Sequence, residues 1–170
     1  MPKARISHAI VFAAVVTASL EAWSATQSVT TNIRFDAPLS LTKTADIDFG
    51  SVTAATASSY TISTAGAVST TTGPGVYLAG TTTAASITIA GSATQLIDIS
   101  ASGYTGNNGV TPANATCAYD GGVEGPCGIT GAAAPGAGKS LLVGVRVNAN
   151  GTQASGTSAA PSFNISVVYQ

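Results

Sequence analysis

Residues 29–41 read VTTNIRFDAPLSL, an alternation of apolar and polar side chains with hardly a break. Val29, Thr31, Ile33, Phe35, Ala37, Leu39 and Leu41 fall on one side; Thr30, Asn32, Arg34, Asp36, Pro38 and Ser40 fall on the other. A period of two places each set on its own face of an extended chain. Thirteen residues at about 3.3 Å each would span roughly 43 Å, twice the usual strand of about 17–20 Å. Pro38 lacks an amide donor and suits only an edge or a break. The run therefore divides into Val29 to Ala37, a free or donated segment, and Leu39 to Thr44, the first strand of a domain.

The chain ahead of this run predicts export. Lys3 and Arg5 precede an uncharged apolar stretch from Ala9 to Leu20, and small residues follow at Ala22 and Ser24. An apolar stretch of twelve residues suits a leader and falls short of the roughly 20 a membrane span needs. Residues 1–24 are expected to be a signal peptide, leaving residues 25–170 in the periplasm, at the cell surface or outside the cell. No integral membrane span is expected in that remainder.

Losing the leader removes His8, the only histidine. Four cationic side chains then face six carboxylates, for a net charge of −2. No basic patch for nucleic acid is present. Without histidine, a Ser-His-Asp or Cys-His nucleophile cannot be assembled, and an ordinary zinc site lacks ligands. The chain is expected to be neither an enzyme nor the holder of a cofactor or metal. Cys117 and Cys127 are the only cysteines, and an even pair in an exported chain predicts a disulfide.

Further strand signals recur between Gly, Ser, Thr and Pro. They lie at Ile47 to Phe49, Ser59 to Thr64, Ala67 to Thr72, Val76 to Leu78, Ala85 to Ala90 and Gln95 to Ala101. Ser140 to Val147 is the strongest central strand. Ser162 to Tyr169 closes the chain, with Phe163, Ile165, Val167 and Tyr169 on one face of an edge strand. No helical apolar face occurs after the leader. Short strands at this spacing predict an all-β antiparallel β-sandwich of one domain. Residues 103–138, rich in Gly, Asn, Ala and Pro, are expected to be a long disulfide-containing loop region.

Three local patterns carry chemistry only on paper. Ala133 to Ser140, AAPGAGKS, is a loosened phosphate loop, but a strand rather than a helix follows it, so no nucleotide is expected. Asp46 and Asp48 form a D-x-D that calcium could use only with further oxygens. Tyr104 and Tyr119 lie in the expected loop and offer flat faces to a sugar.

Two stretches carry a resemblance. Leu39 to Val52 reads LSLTKTADIDFGSV, and the chain ends GTQASGTSAAPSFNISVVYQ. Together they resemble an uncharacterised family of secreted proteobacterial proteins, a domain of unknown function, distantly similar to spore coat protein U-like and chaperone–usher fimbrial subunits. The resemblance implies an immunoglobulin-like (pilin-like) sandwich at a Gram-negative surface or in the periplasm and offers no catalytic residue. It implies identical or related subunits as partners, with a periplasmic chaperone and usher. The function expected is a structural or adhesive subunit of a fimbria-like assembly joined by β-strand addition, in which Val29, Ile33 and Phe35 fill pockets of a neighbour. The alternative is a monomeric secreted binding module that uses the 103–138 region for a glycan or protein ligand.

Overall fold

A computed structural model describes residues 26–170, so the leader expected over 1–24 lies outside the described residues. Twelve strands and no helix make up the described chain: β1 (Ser40–Ala45), β2 (Ser51–Val52), β3 (Ala57–Ile62), β4 (Val68–Thr72), β5 (Tyr77–Ala79), β6 (Ala85–Ala90), β7 (Ile97–Thr105), β8 (Val110–Tyr119), β9 (Gly125–Pro126), β10 (Gly128–Ala132), β11 (Lys139–Asn150) and β12 (Ser162–Tyr169). All pairings are antiparallel. The result is an all-β sandwich.

β11 organises the larger sheet. Its first part, Lys139 to Val143, pairs with β6. Its second part, Val145 to Asn150, pairs with β3. β8 runs along its other edge from Leu141 to Ala149. β1 extends the sheet beyond β6, and β4 extends it beyond β3. Gly144 sits where β6 gives way to β3. A Cβ there would stand 2.3 Å from the Ile62 carbonyl oxygen, so only glycine permits the close approach.

A three-stranded sheet, in the order β10-β7-β12, forms the opposing layer, and β2 pairs with β5 in a small ribbon. Alternation supplies the inner faces. Leu141, Val143, Val145 and Val147 from β11 meet Ile87 and Ile89 from β6, Tyr60 and Ile62 from β3, and Ile97 and Ile99 from β7. These side chains are buried, and each contributes about 1.5–3 kcal/mol by leaving water. β12 offers Phe163, Ile165, Val167 and Tyr169 to the same core, but these are only half-buried.

The 103–138 region is corrected. It is not a long loop: β7 continues to Thr105, and β8, β9 and β10 follow within it. The ten-residue β8 is a principal neighbour of β11. Its period is broken by a bulge opposite Gly144 and Arg146, where Asn114 takes a positive φ of 51°. Val110 and Pro112 point to one face before the bulge; Ala115 and Cys117 resume that face after it. Pro112 is tolerated because among the described residues β9 meets β8 only at Thr116 and Cys117, and no strand pairs with the outer edge of β8 at Pro112 itself. The strand expected at Ile47 to Phe49 is reduced to a single bridge between Asp48 and Thr83.

Cys117 and Cys127 form the disulfide, with Cα atoms 4.9 Å apart. It joins β8 to the start of β10 and lies in the core. By the chain-entropy model a loop this short contributes about 3 kcal/mol or a little less.

Candidate functional site

β1 and β12 are the free edges on one side of the sandwich. Among the described residues β1 pairs only with β6, and β12 only with β7. Between them runs a groove of about 780 Å³. Val143, Val145, Val147 and Ile87 make its buried floor; Leu41 forms one wall, and Phe163 and Ile165 form the other. Its interior is thus apolar, with Lys43, Asp46 and Asn164 also on its lining, and among the described residues the facing strand edges keep backbone donors and acceptors without ladder partners. A groove of this kind has the shape and the free backbone groups that an extended segment would need for main-chain bonds along its edges and alternate side chains in its interior.

One end of the groove is tied shut. The Tyr169 hydroxyl donates to the Ala37 carbonyl at 2.6 Å and accepts the Ser92 amide at 2.6 Å. The Ser92 hydroxyl donates to the Asp36 carboxylate at 2.7 Å, and the Gln95 side-chain amide donates to the other oxygen at 3.0 Å. Ser92 is buried, and its oxygen also accepts the Thr94 and Gln95 amides. These bonds knit the start of the domain, the β6–β7 connection and the C-terminal strand into one knot. β12 runs toward this knot and β1 runs away from it, so the groove opens at the other end, near Phe49 and Pro161.

Phe35 is the first residue of the compact unit and stands 85% exposed. Residues 26–34, ahead of that unit, carry no strand, and Val29 and Ile33 are exposed at 87% and 74%. The donor candidates Val29, Ile33 and Phe35 are therefore apolar side chains in water. Phe163, Ile165, Val167 and Tyr169 line up on β12 beside the groove or at its closed end.

The other sequence candidates are occupied locally. Asp46 pairs with Lys43 at 2.5 Å, and the Asp48 carboxylate accepts the Gly50 amide. Among the described residues no three acidic, histidine or cysteine side chains gather as metal ligands. Lys139 pairs with Asp120 at 2.6 Å and lies 5.8 Å over the Tyr119 ring, at the start of β11 rather than of a helix. The Tyr119 hydroxyl donates to the Ala133 carbonyl. Its pKa is raised by burial and by the Asp120 carboxylate. Tyr104 stacks on Phe163 with ring centroids 5.5 Å apart, and its hydroxyl accepts the Ala115 amide. No helix among the described residues is long and apolar enough to cross a membrane.

Sequence reasoning missed Glu124. Burial pushes its pKa up. Hydrogen bonds from the Thr116 hydroxyl and from the Thr64 amide and hydroxyl outweigh that and leave it lowered. This carboxylate fastens the β8–β9 connection to the β3–β4 turn. Nothing local in DGGVEGP announces it, because Thr64 is distant in sequence.

No curated protein and no solved structure matches this chain. Residues 39–169, from the base of β1 to the penultimate tyrosine, match a family described as a domain of unknown function, DUF4402, and the chain belongs to that family.

Proposed function

We propose that the protein is a non-enzymatic structural subunit of a surface assembly, joined by strand addition. The segment 26–35 of one copy would fill the β1/β12 groove of another. The observation that carries this reading is the pairing of an apolar groove between two free edges with an exposed segment of matching period. Val29, Ile33 and Phe35 each forgo about 1.5–3 kcal/mol while they remain in water. Ordering residues 29–35 alone costs about 1–2 kcal/mol per residue, so apolar contact alone does not suffice. Main-chain bonds to both edges are needed, and among the described residues neither edge has a second ladder partner.

The reading is in line with what the resemblance of Leu39 to Val52 and of the C-terminus implies, and with the leader expected over residues 1–24. A periplasmic chaperone would act by occupying the same groove until a subunit arrives, and an usher would be the place of exchange. The alternative of a monomeric ligand-binding module loses its premise, since the 103–138 region is largely strand and its tyrosine hydroxyls are engaged.

The test uses a labelled peptide of residues 26–37 and the chain from Leu39 onward, which keeps all twelve strands and the core. The peptide is expected to bind and to stabilise the truncated chain. A peptide with Val29, Ile33 and Phe35 all changed to Asn is expected not to bind. If neither peptide binds, and the full chain is a monomer at every concentration, strand addition is wrong.

A further inference from the structure

The knot at the closed end has a consequence for where the segment can go. A chain that carries both a groove and a matching segment has two options. It can fold the segment back into its own groove, or lend it to a second copy. Self-insertion gives a closed monomer, and lending gives a growing chain of subunits. The effective concentration of a tethered segment is in the millimolar range for a short flexible tether, so self-insertion wins unless geometry forbids it.

Geometry here acts at residues 36–38. To enter its own groove beside β1, the chain must reverse direction between Phe35 and Ser40, as in a β-hairpin, whose loop takes two to five residues. The residues that would form that loop are already committed. Asp36 is bound through its carboxylate to the Ser92 hydroxyl and the Gln95 amide. The Ala37 carbonyl accepts the Tyr169 hydroxyl. Pro38 has a fixed φ and no amide hydrogen to donate. The partner Ser92 is itself locked, since its carbonyl accepts the Gly136 amide while the Gly91 amide donates to the Gly136 carbonyl. Gly91 must be glycine for this closure, because a Cβ there would lie 2.3 Å from the Tyr169 hydroxyl.

We propose that the knot of Asp36, Ser92, Gln95 and Tyr169 is a positioning latch that bars the segment from its own groove and so commits it to a second copy. The inference rests on the strand-addition reading and adds to it the device that decides between self-closure and assembly. Asp36 and Tyr169 are positioning residues: they hold the base of the segment and lie outside the donor set.

The test compares the full chain, expressed for export and purified, with Asp36→Ala and Tyr169→Phe variants at equal concentration. Each variant removes a different strand of the knot, so a folding defect in one leaves the other informative. Both are expected to shift the population from assemblies to monomers by about tenfold or more. The resulting monomers are expected to refuse the labelled 26–37 peptide, because their own segment fills the groove. Asp36→Asn, which keeps an oxygen acceptor for Ser92, is expected to restore assembly.

Variants that assemble as the parent does would overturn the latch. So would monomeric variants that still take up peptide, since their grooves would then be open. If instead the peptide fails to bind the chain from Leu39 onward, the strand-addition reading fails, which is a distinct result.

Discussion

The strand β11 and the segment 26–35 are both rich in β-branched and apolar residues, yet they meet opposite fates. β11 has neighbours along both edges, with β6 and β3 on one side and β8 on the other, and its core side chains are buried. Residues 26–35 hold no strand, and Val29, Ile33 and Phe35 stand in water. The difference teaches that a strand is made by its neighbours. Propensity and alternation are shared by both stretches; edge partners are not.

The comparison predicts unequal costs for the same kind of truncation. Leu141→Ala in β11 should lower unfolding free energy by about 2–5 kcal/mol, read from urea unfolding of the exported chain. Replacing both Cys117 and Cys127 by Ser should cost about 2–4 kcal/mol by the same measurement, since it frees the β8 neighbour of β11 from β10. If Leu141→Ala were no costlier than a change in the segment, the contrast between the two regions would collapse.

An acid titration sharpens the picture on the β11 side. Glu124 holds a lowered pKa in the folded chain, so its contribution is complete above the ordinary carboxylate value of 4.5. That contribution is lost as pH falls below that value through the folded one. Glu124→Gln should therefore flatten the loss of stability between neutral and acid pH relative to the parent. Urea midpoints measured across that interval give the answer; an unchanged acid slope would show that the Thr64 and Thr116 bonds contribute nothing.

The smallest stability effect belongs to the segment. Phe35→Ala should change the unfolding free energy of an isolated subunit by about 0.5 kcal/mol or less, because an exposed side chain has little to lose. The same substitution should weaken assembly, read by sedimentation across a concentration series. A large loss of subunit stability without loss of assembly would place Phe35 in its own core and break the comparison.

Much of the fold is legible in local pattern. Ala85–Ala90 and Ser162–Tyr169 have the bounds expected from alternation, and β1 begins within a residue of the expected start after Pro38. The turn that joins β3 to β4 is centred on Thr64 and Ala65, closed by the Gly66 amide on the Ser63 carbonyl, with Gly66 at a positive φ of 80°. β8 escaped because its bulge at Asn114 breaks the period, its inward residues are small, and Pro112 reads as a breaker. The candidate site was half legible: Val29, Ile33 and Phe35 announce a sticky segment, and Phe163 to Tyr169 a strand with one apolar face. The knot was invisible, since Asp36, Ser92 and Tyr169 look like ordinary turn and strand residues until the fold joins them.

The sequence by itself determined an all-β chain, a disulfide and an alternating segment divided at Pro38, because period, composition and cysteine count act locally. Tertiary structure alone decided that β8 joins β11, that β1 and β12 leave a groove between free edges, and that Tyr169 ties down Ala37. Those outcomes depend on which strands become neighbours. Sheet partners and hydrogen bonds across 132 positions of sequence, such as that of Tyr169 to Ala37, are set by packing the whole chain at once.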